Sequence, residues 1–126
     1  MSMIYHITSR STVEAAQKEG EYRAESLTKE GFIHFSQLHQ LLGVANSFYG
    51  GQSNLIIMVV DPSRLKADLR YEPPVHPGAV SEASDEISLP DKDQLFPHLF
   101  GPLNFDAVIK VVDFPSVAGR FELPAF

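Results

Sequence analysis

The chain has 126 residues, of which 44 % are hydrophobic and 21 % charged, with a formal charge of −6 and no cysteine. This balance supports one packed domain and excludes a disordered segment, disulfides, thiolate chemistry and cysteine-ligated zinc. The 10 Lys and Arg are scattered, so there is no basic patch for broad binding to nucleic acid or anionic lipid, although a small local phosphate pocket stays open.

Met3 to Thr8 is predicted to be a first strand, apolar on both faces and therefore internal. Ser11-Thr12-Val13-Glu14 has the form of a capping box and Gly20 that of a helix stop, which predicts a helix between them. Glu21 to Ala24 reads as a short extended piece. Ser26 to Glu30 reads as one helical turn closed by Gly31, and Phe32 to Ser36 as a second strand. Leu38, Leu41, Leu42, Ala45, Phe48 and Tyr49 recur at helical spacing and form one apolar stripe, ending at Gly50-Gly51. Leu55 to Val60 is a continuous apolar run, which predicts a central strand, and Pro62 to Leu65 breaks it with a turn. Leu69 to Glu72 is a further strand.

The stretch from Pro73 to Asp93 lacks periodicity and carries Glu82, Asp85, Glu86, Asp91 and Asp93; a loop of that length in a small domain is commonly functional or mobile. Phe96 to Leu103 is apolar but interrupted by Pro97 and Pro102, and is expected to be a packed, rigid loop. Ala107 to Phe114 and Gly119 to Leu123 are the last predicted strands. Helices come early and strands late, which favours an α+β fold over a doubly wound parallel sheet, in a single domain spanning residues 1–126. The longest apolar run is far short of a membrane span, and Met1 to His6 lacks the basic start and unbroken apolar region of a signal peptide. No membrane association and a cytoplasmic location are expected.

Two of the predicted strands carry the same polar pair. Ile4-Tyr5-His6-Ile7-Thr8 and Phe32-Ile33-His34-Phe35-Ser36 each place a histidine two positions before a hydroxyl residue. Side chains alternate across a strand, so His6 and Thr8 share one face, as do His34 and Ser36. A buried imidazole costs free energy unless its nitrogens find partners, so two such pairs point to a polar site built into a sheet. His98 also sits in apolar surroundings, whereas His39 and His76 are expected to face solvent. A three-histidine metal site lacks any H-x-H or H-E-x-x-H spacing, so no metal is expected. There is no G-x-S-x-G, G-x-G-x-x-G or P-loop, and Ser36 is held too rigidly beside His34 for a nucleophile–base pair. Glu72 ends a strand at the start of the proline-rich loop, where a carboxylate can polarise a sugar hydroxyl or act as a base. Asn46, Ser47 and Tyr49 are candidates to line the same cleft, although Tyr49 is expected to pack in the core.

Taken together, Ile4-Tyr5-His6-Ile7-Thr8, Gly20 with Tyr22, Ser26-Leu27, Glu30 to His34, Ser36, Val44-Ala45-Asn46, Phe48-Tyr49, Glu72 and Phe96-Pro97-His98 with Gly101-Pro102-Leu103-Asn104 and Asp106-Ala107-Val108 resemble the domain-of-unknown-function 952 family over nearly the whole chain. That family's fold is similar to that of the ADP-ribosyl transferases: a split, mostly antiparallel β-sheet with peripheral helices and a nucleotide cleft between the halves. The resemblance implies that His6, Thr8 and Ser36 hold NAD or a related nucleotide-like small molecule, with His34, Glu72 and His98 as catalytic groups. The chain departs from the pattern at Phe35, where the family commonly has Cys, and at Phe100, where it commonly has Tyr. A closing E-x-E or Q-x-E is absent, and no arginine cluster surrounds His34, which counts against RNA phosphotransfer. The implied function is a small transferase or hydrolase acting on an NAD- or ADP-ribose-like ligand; the alternative is a non-catalytic module that binds a nucleotide or metabolite.

Overall fold

The computed structural model describes residues 2–73 and 94–126. Among these, the elements run β1 (Ile4–Ser9), α1 (Arg10–Glu19), β2 (Glu21–Tyr22), α2 (Glu25–Glu30), β3 (Ile33–His34), α3 (Leu38–Phe48), β4 (Leu55–Val60), β5 (Asp68–Glu72), β6 (Phe96–Phe100), β7 (Leu103–Asn104), β8 (Val108–Asp113), β9 (Ser116–Val117) and β10 (Arg120–Phe121). The fold is α+β. Two three-stranded antiparallel sheets, ordered β1-β4-β8 and β3-β6-β5, are accompanied by the short pairs β2-β7 and β9-β10. Most of the acidic stretch read as a functional loop, together with His76, lies outside the described residues.

β4 is central and all six of its residues are buried, as its unbroken apolar run predicts. Alternation sends its side chains into two cores. Ile56, Met58 and Val60, with Ile4 of β1, face the second sheet and Val13 of α1. Leu55, Ile57 and Val59, with Tyr5 and Ile7, face Leu41 and Ala45 of α3 and the C-terminal Phe114 and Phe121. His6 alternates with Tyr5 and Ile7 and therefore points between the two sheets. This face, rather than either helix face, carries the polar site.

Several expectations are corrected. β1 is not internal to its sheet; it is the outer strand next to β4, and among the described residues its far edge is paired only at Tyr5 with Ser36. α1 starts two residues earlier than the Ser11 capping box implies. Ser9 is the cap, and its hydroxyl accepts from Thr12 N at 3.2 Å. On α3 the stripe is narrower than its spacing suggests: Leu41 and Ala45 are buried, but Leu38 and Phe48 are exposed. Phe96 to Leu103 is not a loop. Phe96–Phe100 is the middle strand of the second sheet, and Pro102 falls in the gap before β7. A central strand rarely tolerates proline because a ladder donor is lost. Here the Pro97 carbonyl accepts from Phe35 N at 3.0 Å, and the ladder with β3 stops at the adjacent pair, His34 with His98.

That stop shapes the molecule. The predicted strand from Phe32 to Ser36 is regular only at Ile33–His34, where it pairs with β6. Two residues later Ser36 pairs with Tyr5 of β1, through Tyr5 N to Ser36 O at 2.9 Å and Ser36 N to Tyr5 O at 2.8 Å. One short segment thus crosses from one sheet to the other, and the sheets part beside it. The hairpin β9-β10 turns through Ala118 (φ 54°) and Gly119 (φ 81°), two consecutive left-handed residues that match a tight hairpin turn.

Gly101, between β6 and β7, is required for a different reason. A Cβ there would sit 2.6 Å from the Cβ of Ala67, and both carbons are fixed to backbone. Gly101→Ala is expected to destabilise the protein by about 1–3 kcal/mol, read as a lower urea midpoint. An unchanged midpoint would show that the approach relaxes without cost.

Candidate functional site

A cleft of about 500 Å³ opens where the sheets part. It is lined from β1 by His6 and Thr8, from the crossing segment by His34 and Ser36, and from β6 by His98. α2 contributes Glu25, Ser26 and Glu30, and the end of α3 contributes Phe48 and Tyr49. Five of the six predicted site residues therefore meet at one cavity. The sixth, Glu72, is not among the lining residues; it stands behind His98. Tyr49 lines the cleft but Asn46 and Ser47 do not. The Asn46 side-chain amide instead pins β10, with Phe121 N donating to Oδ1 at 2.9 Å. His39 lies on an exposed position of α3.

His6 is fully committed. Its Nδ1 lies 2.6 Å from the His34 carbonyl, which can only accept, so Nδ1 carries the proton. Nε2 is then the acceptor for the Tyr22 hydroxyl at 2.8 Å. With the phenol proton spent on His6, the contact of 3.3 Å between Tyr22 and Thr8 Oγ1 needs its proton from the threonine. Burial lowers the His6 pKa to about 4, so this chain of three residues is built around a neutral imidazole. The same burial pushes the Tyr22 phenol up. Neither ring nitrogen of His6 remains for a ligand. His6 can act on one only through Tyr22 and Thr8.

His98 is arranged otherwise. It is 1 % exposed, and its ring stacks on Phe32 with centroids 4.1 Å apart. Nδ1 donates to Glu72 Oε1 at 2.8 Å. Burial holds the His98 pKa below the usual histidine range, against the opposing pull of Glu72. A neutral ring with its proton on Nδ1 leaves Nε2 as a bare base. Among the described residues that buried atom has no hydrogen-bond partner. An unsatisfied buried polar atom costs about 1–3 kcal/mol, and native structures rarely keep one without a reason. His98 is itself among the residues that line the cleft. The His34 ring stands edge-on to His98, centroids 5.4 Å apart, and its Nε2 donates to Glu30 Oε1 at 3.1 Å. Two imidazole–carboxylate pairs thus sit side by side.

Tyr22, Glu30 and Phe32 are functional neighbours that the strand pattern does not single out as site residues. Glu30 lies four residues before His34, but Gly31 ends α2 between them with φ 92°, so helical spacing gives no warning of the contact. Tyr22 reaches His6 across 16 residues of sequence, a distance no local pattern encodes. Among the described residues no group of three or more His, Asp or Glu is placed to hold a metal ion. No helix among them is long and apolar enough to cross a membrane.

The architecture is that of a small antiparallel α+β protein with an imidazole- and hydroxyl-lined cleft between two sheets. The chain belongs to the family described as "Protein of unknown function (DUF952)", whose model matches residues 7–111. It is similar to the crystal structure of protein CC0527 from Caulobacter crescentus, with 28 % identity and a TM-score of 0.75 over 97 % of this chain and 95 % of that one. The solution NMR structure of CC0527 gives 28 % identity and a TM-score of 0.71 over 96 % and 91 % of the two chains. No curated protein matches the chain.

Proposed function

We propose that the protein is a small enzyme whose ADP-ribosyl-transferase-like cleft takes an NAD- or ADP-ribose-like ligand, with His98 as its general base. The observation that carries this reading is the bare, buried Nε2 of His98, oriented by the bond from Nδ1 to Glu72. A carboxylate behind an imidazole fixes the tautomer and stabilises the imidazolium that forms when the ring takes a proton. In the transfer, Nε2 takes the proton of an attacking hydroxyl or water as its oxygen bonds the anomeric carbon. The bond from that carbon to the leaving base breaks, and its electron pair departs with the base. Ser36 and Thr8 supply hydroxyls for the ribose, and His34 with Glu30 lines the cleft beside His98. His6 positions Tyr22 and Thr8. Most of the remaining rate enhancement would come from positioning.

A ligand at about 100 times its Kd adds roughly 2.7 kcal/mol to stability, or on the order of 10 °C in melting temperature. NAD or ADP-ribose is expected to give such a shift, and His98→Ala to lose turnover by about 10²–10⁴. No shift with either ligand would sink the reading. One observation favours a binding module without catalysis: Glu72, expected at the ligand, is spent on His98. Glu72→Gln separates the two, since an enzyme would bind normally but turn over slowly, whereas a module would respond to ligand unchanged.

A further inference from the structure

We infer that Tyr22 is a positioning residue that fixes the proton polarity of Thr8, so that Thr8 only accepts hydrogen bonds in the cleft and the ligand must donate one there, as a free ribose hydroxyl does. This deepens the nucleotide-like reading above and rests on it for the ligand. The polarity follows from counting protons along one relay. The His34 carbonyl can only accept, and it lies 2.6 Å from His6 Nδ1, so the one ring proton of the neutral imidazole is on Nδ1. Nε2 then has only a lone pair and takes the Tyr22 proton across 2.8 Å. The phenol has no second proton. Its 3.3 Å contact with Thr8 therefore uses the threonine proton, and Thr8 Oγ1 keeps only lone pairs for a further partner.

The fixed end of the relay is firmly held. The carbonyl that sets it belongs to β3, whose His34 pairs with His98 of β6. The His6 ring is 7 % exposed and packs against the rings of Tyr22 and Phe35, with centroids 5.2 and 5.3 Å away. Reversing the relay would turn a bare nitrogen toward the His34 carbonyl and leave both without a donor, a costly arrangement in a buried place. The other end reaches the ligand space. Thr8 shares a strand face with His6, is half-buried where His6 is buried, and lines the cleft. A hydrogen bond donated into Thr8 Oγ1 would polarise the whole relay and strengthen it. α2 sets Glu25 and Glu30 in the same lining, two further acceptor groups for a ligand that brings donors.

Two measurements on the full chain test this. The first needs no ligand. Nitrogen NMR shifts of the His6 ring at neutral pH are expected to report a protonated Nδ1 and an unprotonated Nε2; a proton on Nε2 would overturn the inference. The second is isothermal titration with NAD and with NAD analogues in which single ribose hydroxyls are replaced by fluorine, which cannot donate. At the hydroxyl that meets Thr8, the fluorine analogue is expected to bind about tenfold more weakly than NAD. Thr8→Val should weaken NAD by a similar factor and erase the difference, while Thr8→Ser should keep it. Tyr22→Phe frees the threonine proton and should shrink the difference to within about threefold, although Thr8 is untouched. A tyrosine with a merely structural role would shift NAD and the analogue alike. If NAD binds but no fluorine replacement weakens it, or the difference survives Tyr22→Phe, the inference falls and the reading of the cleft stands. If neither NAD nor ADP-ribose binds, inference and reading fall together.

Discussion

Replacing Phe35 with alanine should cost about 3–5 kcal/mol of folding stability, among the largest effects available in this chain. Phe35 is 2 % exposed and belongs to the core between the two sheets, beside Ile33, Met58 and Leu99. Its ring lies 5.3 Å from that of His6 and also closes one wall of the cleft. Truncation would leave a cavity next to an imidazole that is kept neutral by dry surroundings, and water entering there would undo the reason for its low pKa. Urea unfolding followed by circular dichroism measures the loss. Phe35→Cys should retain part of the packing and fall between the two. A loss under about 1 kcal/mol for Phe35→Ala would mean that the sheets collapse onto the gap, and that this residue does not hold the split apart.

The second large effect is on pH. In the unfolded chain His6 titrates near 6.5; in the fold its pKa is about 4. Between those values the unfolded chain binds the extra proton, so acid favours unfolding. The stabilisation is complete above about pH 6.5 and is lost as pH falls toward 4, by about 3 kcal/mol in all. His98, lowered for the same reason, acts in the same direction. Asp61, Asp106 and Glu25, whose carboxyl pKa values are lowered by hydrogen bonds from Ser63, Asn104 and Lys29, add to the loss of stability in acid. Stability from urea midpoints should therefore fall steadily from pH 7 to 4. Tyr22→Phe, which removes the hydroxyl donor to Nε2, should lower stability most above pH 6.5, where the ring is neutral. A flat profile from pH 7 to 4 would show that His6 is charged or solvated in the fold.

The two H-x-[ST] pairs illustrate how far the chain can be read without its fold. Strand alternation puts His6 and Thr8 on one face, and Thr8 does meet the His6 network through Tyr22. Nothing in that alternation shows that both His6 nitrogens are used internally, because the partners come from β2 and from a carbonyl 28 residues away. His98 is the reverse case. Two prolines around it suggest a loop, yet it lies in the middle of a sheet. The regular ladder with β3 ends at the pair next to Pro97, whose carbonyl still accepts from Phe35 N. Glu72 shows the same limit: a carboxylate closing a strand is visible locally, but its register opposite Phe96, two positions from His98, decides that it serves the imidazole rather than a ligand.

Composition and periodicity by themselves determined the class of this protein. A cysteine-free, acidic, single-run core with one continuous apolar strand can only bury that strand at the centre, and helices early with strands late make an α+β arrangement. Local chemistry also set the left-handed stops at Gly20 and Gly31, because only glycine enters that region without strain. The tertiary structure alone decided where the sheets part, which histidine is satisfied and which keeps a bare nitrogen. Those properties depend on hydrogen bonds between segments 16 to 28 residues apart, and pairings of that range are set by packing the whole chain.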